Sequence, residues 1–144
     1  MISAQTIDVL NFYHDKYNAV SFIENDPISI PHRFSKKQDI EIAGLFAATL
    51  AWGNRKAIIN SCNKLMQLMD NQPHDFIVHH TPKDLIPFAA FVHRTFNATD
   101  VLYFIHFLKQ HFSKHTSLEN LFMEDDAALR LILFHNSFVS TEEF

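Results

Sequence analysis

The stretch DIEIAGLFAATLAW, residues 39–52, is followed directly by GNRKAIINSCNKLMQLM, residues 53–69. The first is apolar almost all the way round, which is typical of a central helix packed on several sides. Gly53 suits the left-handed position after a helix, and Asn54 suits the N-cap of the next one. The second stretch has an apolar stripe at spacings of four, three and four, formed by Ile58, Cys62, Leu65 and Met69. We therefore predict two helices joined by a very tight turn.

Before this unit, residues 4–19 have the apolar stripe of an amphipathic helix, capped by Ser3 or Thr6 and formed by Ile7, Leu10, Tyr13 and Tyr17. Between residues 21 and 37 the periodicity stops. Pro27 and Pro31 push the residues before them out of the helical region. This segment is predicted to be a structured, irregular arm.

After this unit, three further helices are predicted over residues 73–80, 98–114 and 125–138. We expect Thr99 or Asp100 to cap the second, whose apolar face is Val101, Phe104, Ile105, Leu108 and Phe112. Asp125 and Asp126 complement the positive end of the last, whose predicted apolar face is Ala128, Leu131, Ile132 and Phe138.

Composition agrees with an all-α fold. The chain has 144 residues, of which 47% are hydrophobic, with 15 Phe but only 2 Gly and 5 Pro. So few turn-forming residues argue against β-sandwiches, glycine-rich phosphate loops and disordered or collagen-like chains. We predict one compact, orthogonal helical domain of about six helices spanning residues 1–144.

The single cysteine, Cys62, excludes a disulfide framework within one chain and favours a reducing, cytoplasmic setting. Residues 1–10 lack a basic segment, and no window reaches about 18 uninterrupted apolar residues. Neither secretion nor membrane association is predicted.

Charge is unevenly distributed. The whole chain has a net charge of −4, which argues against a generally basic nucleic-acid or membrane binder. Residues 32–64 are locally +4, because two acidic residues stand against six basic ones: Arg33, Lys36, Lys37, Arg55, Lys56 and Lys64. An anion site is therefore expected in this segment.

The strongest candidate site is the turn itself, Trp52, Gly53, Asn54, Arg55 and Lys56. Here the free N–H groups of a helix start meet two cations, and such a start binds anions. Arg55 can fork onto a phosphate, Lys56 supplies a point charge, and Trp52 can stack on a base or sugar. The alternative is an ordinary helix cap with solvated charges and Trp52 in the core.

Arg33, in the irregular arm, is a second basic candidate for the same surface, beside Phe34. The pair His93 and Arg94 is a weaker basic candidate. The alternative is that Arg33, His93 and Arg94 are ordinary surface residues without a binding role.

Other chemistry is weakly supported. His111 and His115 have metal-ligand spacing, with Glu119 four residues on, but a solvated helix end explains them better. The position of Cys62 within an apolar stripe predicts burial rather than reactivity. No catalytic residue, metal site or cofactor is predicted.

Residues 26–69, together with FVHRTF at 91–96 and the segment 100–122, resemble an uncharacterised bacterial family, a domain of unknown function. That family is in turn distantly similar to helix-hairpin-helix base-excision DNA glycosylases. The resemblance implies a DNA-facing turn, which Trp52 to Lys56 would occupy.

The same resemblance indicates what this chain lacks. With Gly44 and Gly53 as its only glycines, it has no Gly-x-Gly hairpin for gripping phosphates. The base-pocket aspartate of such glycosylases is missing too. We therefore expect the chain to be the N-terminal portion of a longer protein and inactive alone.

Two functions follow from these observations. The first is DNA binding, as the front part of a glycosylase-like protein, although the sequence leaves DNA, RNA and a small phosphate open as the anion. The second is a helical protein-protein interaction module without catalysis, in which an aromatic patch of Phe88, Phe91 and Phe96 contacts the partner.

Overall fold

This computed structural model describes residues 2–140, which contain seven α-helices, four short 3₁₀ segments and one two-stranded hairpin. The all-α prediction is confirmed. Six helices have seven residues or more, and one is a single turn. They are α1 (Ala4–Tyr17), α2 (Val20–Ile23), α3 (Lys37–Thr49), α4 (Arg55–Leu68), α5 (Pro73–His79), α6 (Ala98–Phe112) and α7 (Ala127–Val139).

The predicted pair of helices is α3 and α4, and it forms the centre of the core. On α3 the fully or nearly fully buried apolar residues are Ile42, Ala43, Phe46 and Ala47. All four residues of the stripe predicted for α4 and its C-cap are buried: Ile58, Cys62, Leu65 and Met69. The helix α3 ends at Thr49 rather than Trp52, so the connection is longer than predicted.

The irregular arm before α3 contains two short 3₁₀ segments, Pro27–Ser29 and Pro31–Arg33. A proline occupies the first position of each, where its missing N–H costs nothing. Ile30 between them is only 1% exposed. The arm packs on α3 and α4 and so fixes the residues beside the turn.

Two carboxylates of α3 fasten its N-terminal half to later parts of the chain. Asp39 accepts a 2.9 Å hydrogen bond from the backbone N–H of His74, at the start of α5. Glu41 accepts bonds from the Ser117 hydroxyl, at 2.5 Å, and from the Leu118 N–H, at 2.9 Å. Leu118 begins a 3₁₀ segment, Leu118–Phe122.

A hairpin precedes α6 that the sequence did not predict. Its strands are β1 (Val92–His93) and β2 (Phe96–Asn97), with His93 paired to Phe96. Asn97 also caps α6, and Asp100 accepts from the Asn97 N–H to complete a capping box. The helix begins at Ala98 as predicted, but the expectation that Thr99 or Asp100 is the N-cap was wrong, because both residues lie inside the first turn of α6.

The terminal helices form as predicted but leave apolar residues uncovered. Ser3 caps α1 as expected, yet α1 buries no residue, and Leu10 is 58% exposed. In α7, Phe134 and Phe138 pack against the core, whereas the predicted face residues Leu131 and Ile132 are exposed. None of the helices in the described range is long and apolar enough to cross a membrane.

Candidate functional site

The turn between α3 and α4 has a positive φ at Gly53 and an N-cap at Asn54, as predicted, although Gly53 lies four residues beyond the end of α3 and not directly after it. Gly53 has a φ of 109°, which L residues rarely adopt. Asn54 is the N-cap of α4, and its Oδ1 accepts from the N–H groups of Lys56, at 3.0 Å, and Ala57, at 3.4 Å. These two N–H groups are thus already satisfied, so the prediction of free N–H groups for an anion was wrong for them. Any anion here depends chiefly on side chains.

Trp52 lies at the surface of the turn and not in the core. It is 42% exposed, although it is the bulkiest side chain in the sequence. The ring of His93 stands edge-on to it, with ring centroids 6.4 Å apart. A large part of the indole therefore remains accessible to a ligand.

Arg94 joins the turn from 40 residues further along the chain. It sits at the tip of the hairpin and has a φ of 55°, in the left-handed region. Its guanidinium lies 5.6 Å from the centroid of the Trp52 ring. A Cβ placed on Gly53 would come within 2.3 Å of the Arg94 Nε, so only glycine leaves room for this side chain. The sequence suggested only a weak contribution here, because the contact depends on the unpredicted hairpin.

Arg55 and Lys56 lie on the first turn of α4 and are both exposed. The Arg55 guanidinium is 3.8 Å from the Asp26 carboxylate and 5.4 Å from the Phe22 ring centroid. Within residues 2–140 the Lys56 ammonium has no ion-pair partner. Asp26 partly neutralises Arg55, and Glu24 lines the shallow depression beside both cations. The basic character of the turn is therefore local and moderate.

The remaining cations of the +4 segment do not all converge on the turn. Lys36 and Lys37 lie at the opposite end of α3, which at 13 residues is about 20 Å long. Lys37 pairs with Glu119 at 2.5 Å, and Lys36 contacts His74 at 3.0 Å. The cations of the segment therefore do not form one continuous patch.

Arg33 lies in the arm, at the end of the second 3₁₀ segment, and is exposed. Its guanidinium is 5.9 Å from the ring centroid of its neighbour Phe34. The structure gives it no contact with the turn residues, so its role in the same surface stays a prediction.

A groove of about 580 Å³ runs between the arm, α3 and the start of α4. Small residues line its α3 side: Gly44, Ala47, Ala48 and Ala51. Asp26, Gly53 and Arg55 border it where it meets the turn. The groove therefore adjoins the cationic residues without containing a cluster of polar groups.

His93 is 4% exposed, and its Nδ1 contacts the Ser61 hydroxyl at 2.9 Å. Its Nε2 is buried and has no hydrogen-bond partner among the described residues. The sequence suggested His93 only as a weak contributor to a basic surface, and its burial was not predicted because a two-residue strand has no distinctive pattern. An unsatisfied buried nitrogen behind Trp52 marks the turn as an unusual place in the fold.

The other candidate residues are used structurally. His111 is 8% exposed and contacts the Ser117 carbonyl at 2.8 Å, so the solvated helix end expected there was wrong for His111, whereas His115 and Glu119 are exposed. Burial lowers the pKa of His111. Within the described range no group of three His, Cys, Asp or Glu residues could hold a metal ion.

Cys62 is fully buried as predicted. Burial raises the pKa of its thiol to about 11, against a smaller lowering by the charge of Arg33. Phe88 and Phe91 are fully buried and Phe96 is half-buried, so the exposed aromatic patch proposed from these residues was wrong. A protein partner, if it binds, uses another surface.

Comparison with known proteins gives one match. The family model DUF2400, described as a protein of unknown function, matches residues 26–143. The match includes the arm, the turn and the hairpin, and it begins after α1 and α2. No curated protein and no solved structure matched the chain. The predicted resemblance to a domain of unknown function is confirmed, and these comparisons give no support to glycosylase similarity.

Proposed function

Because the chain belongs to DUF2400, a family of unknown function, we propose from the turn itself that the domain binds DNA through Trp52 and the cations around it. The observation that carries the proposal is the position of Arg94. Arg94 is a third cation at the turn and lies against the Trp52 ring. The other two cations, Arg55 and Lys56, lie on the first turn of α4.

These cations suit a phosphate backbone. A guanidinium presents a planar fork that can contact two phosphate oxygens, and an ammonium acts as a compact point charge. Arg94 and Arg55 are held by aromatic rings, those of Trp52 and Phe22, which restricts their motion before a ligand arrives. Less side-chain entropy is then lost on binding.

The net charge of −4 requires the attraction to be local. Three cations that each neutralise one phosphate give a slope of log affinity against log salt of roughly −2 to −3. Asp26 opposes this attraction from 3.8 Å. We therefore expect weak binding that is strongest at low salt.

The test is binding of a fluorescein-labelled DNA oligonucleotide by anisotropy at two salt concentrations. The double variant Arg55→Ala/Lys56→Ala should weaken binding and make the salt slope shallower by roughly 1.5 to 2 units. The matched control, Lys36→Ala/Lys37→Ala, removes the same charge from the other end of α3 and should keep the wild-type slope. Equal losses in both variants, or no binding of the wild type at low salt, would overturn the proposal.

Asp26→Asn is a second variant, and its expected effect on DNA affinity is opposite to that of Arg55→Ala/Lys56→Ala. Asp26 Oδ1 accepts from the Ile28 N–H, and an asparagine can keep this bond while it removes the charge. The variant should bind DNA more tightly than the wild type. Weaker binding would mean that Asp26 contributes directly to the interface.

The proposal concerns binding and includes no base excision. From the resemblance of the sequence to DNA glycosylases we infer one point, which is that DNA is the ligand of a longer protein that contains this domain. The described residues supply cations and one exposed indole at the turn, and these groups support the proposal of DNA recognition.

A second candidate is protein interaction, favoured by the uncovered apolar residues of α7. Leu131 is 65% exposed and Ile132 is 54% exposed. Monomeric proteins rarely expose contiguous apolar patches of this kind without a use for them. Sedimentation velocity over a range of concentrations tests self-association, which Leu131→Asp/Ile132→Asp should abolish.

A further inference from the structure

We propose that the turn binds single-stranded DNA in preference to duplex, with one unpaired base stacked on Trp52 beside Arg94. This inference rests on the proposed function and specifies its ligand. The Arg94 guanidinium lies over the indole, 5.6 Å from the ring centroid, so a base that stacks on the exposed remainder of the ring also lies beside this cation. Bases stack on aromatic rings and on guanidinium planes alike.

The geometry favours an exposed base over a paired one. Trp52 is 42% exposed, and it is flanked by residues that are themselves exposed. An indole that projects from a tight turn can reach the face of a base in a single strand directly. In a duplex that face is covered by the neighbouring base pairs, and access requires unstacking, which costs free energy.

The position of Arg94 beside Trp52 depends on a strained backbone at Arg94 and on the glycine at position 53. A two-residue hairpin turn prefers glycine at a central position of positive φ, yet Arg94 has a φ of 55° there. Gly53 leaves open the space that the guanidinium fills. Strained residues persist where the surrounding structure fixes them, and they concentrate at ligand sites.

His93 provides an independent observation at the same place. Its side chain is more than nine-tenths buried and stands edge-on to Trp52, while its Nε2 has no hydrogen-bond partner in the described part of the chain. Buried polar nitrogens normally have a partner. The protein's own groups therefore leave a polar atom unsatisfied in the residue that stands against the Trp52 ring.

The cations around Trp52 would contact the phosphates of a bound single strand. A strand whose base lies on Trp52 has phosphates on either side of that base. Arg94 lies on one side of the indole, and the next cations along the turn are Arg55 and Lys56. The site is small, so one base and its adjacent phosphates account for most of the contact.

The sequence offers a direct probe, because Trp52 is its single tryptophan. Intrinsic fluorescence excited near 295 nm therefore reports on this residue alone. We expect titration with unlabelled single-stranded oligothymidylate to quench it, and titration with a duplex of the same length to leave it nearly unchanged. Free N-acetyltryptophanamide in the same titrations controls for absorption by the DNA.

Variants separate stacking from charge. By anisotropy, Trp52→Leu should weaken single-strand binding roughly 5- to 150-fold, the range for loss of one base–aromatic stack, while Trp52→Phe keeps part of the affinity. Circular dichroism of both variants checks that the helices remain folded. Arg94→Ala should weaken single-strand binding and leave Trp52 fluorescence responsive to oligothymidylate.

The outcomes distinguish this inference from the function on which it rests. One possible outcome is that single strand and duplex bind equally well, that Trp52 fluorescence does not change, and that Arg55→Ala/Lys56→Ala still binds DNA more weakly than the wild type. This outcome would refute stacking on Trp52 and leave the proposed DNA binding intact. If the wild type binds neither form at low salt, both are refuted. Both are supported if the wild type binds single strand preferentially with quenching of Trp52 fluorescence, and if Trp52→Phe keeps part of the single-strand affinity by anisotropy.

Discussion

Replacing Gly53 with alanine has two separable effects at the turn. The backbone must keep a φ of 109°, which an L residue adopts only with strain. The new methyl group must also avoid the Arg94 guanidinium, whose Nε and Nη2 would both lie 2.3 Å from it. Carbon atoms require about 3.5 Å or more, so Arg94 must leave Trp52.

The expected cost follows from these two effects. A non-glycine residue in a sparsely populated backbone region costs about 1–3 kcal/mol. Loss of the exposed cation–π contact between Arg94 and Trp52 adds about 0.5–1 kcal/mol. The variant should therefore lose about 1.5–4 kcal/mol of unfolding free energy and stay folded, since domains typically have about 5–15 kcal/mol.

The assay is urea unfolding followed by circular dichroism, and the chain contains its own control. Gly44, the other glycine, lies inside α3, where an added Cβ would meet only the Pro31 Cβ at 4.0 Å. Gly44→Ala should therefore stabilise the domain by about 0.5–1 kcal/mol, the usual gain from alanine in a helix. The two substitutions, identical in chemistry, should act in opposite directions.

A double-mutant cycle isolates the Arg94 contribution. In an Arg94→Ala background, Gly53→Ala should cost only its backbone strain, about 0.5–1 kcal/mol less than in the wild type. Equal costs in both backgrounds would show that Arg94 does not occupy the space beside Gly53. A cost below about 0.5 kcal/mol in the wild type would refute the strained turn itself.

Three further predictions concern stability and reactivity. Glu41→Ala removes the carboxylate that accepts from the Ser117 hydroxyl and the Leu118 N–H, and it should cost about 1–3 kcal/mol in urea unfolding; no change would mean that these bonds do not contribute to stability. Burial lowers the pKa of His111, so protonation of this residue favours the unfolded chain. Its contribution to stability should be complete above pH about 6.5 and should fall below that pH. Thermal unfolding at two pH values should show a smaller loss of stability at the lower pH in His111→Gln than in the wild type. Cys62, with its pKa raised to about 11, should react with Ellman's reagent only on unfolding, and rapid labelling of the native protein would contradict its burial.

The α3–α4 unit could be predicted because its signals are local. The stripe of α4 repeats with the helical period, and a glycine followed by an N-cap residue specifies the turn within two positions. The ends of helices are less certain, since α3 stops at Thr49 while apolar residues continue to Trp52. Apolar character alone does not distinguish a last helical turn from the connection after it.

The missing parts depend on contacts between distant residues. Two-residue strands are too short to show alternation, so the hairpin that carries Arg94 to Trp52 could not be predicted. Periodicity also cannot say whether an apolar face is covered. That is why Leu131 was expected to pack, although it is 65% exposed.

The hairpin leads into α6 without a linking residue, because Asn97 both ends β2 and caps the helix. This shared residue restricts which changes in chain length the domain can accept. Inserting one residue between Arg94 and Asn97 would shift the strand register and exchange the two faces of β2. Such an insertion would move Arg94 relative to Trp52 and disturb the start of a core helix together, so we expect the length of this segment to be fixed among homologous sequences.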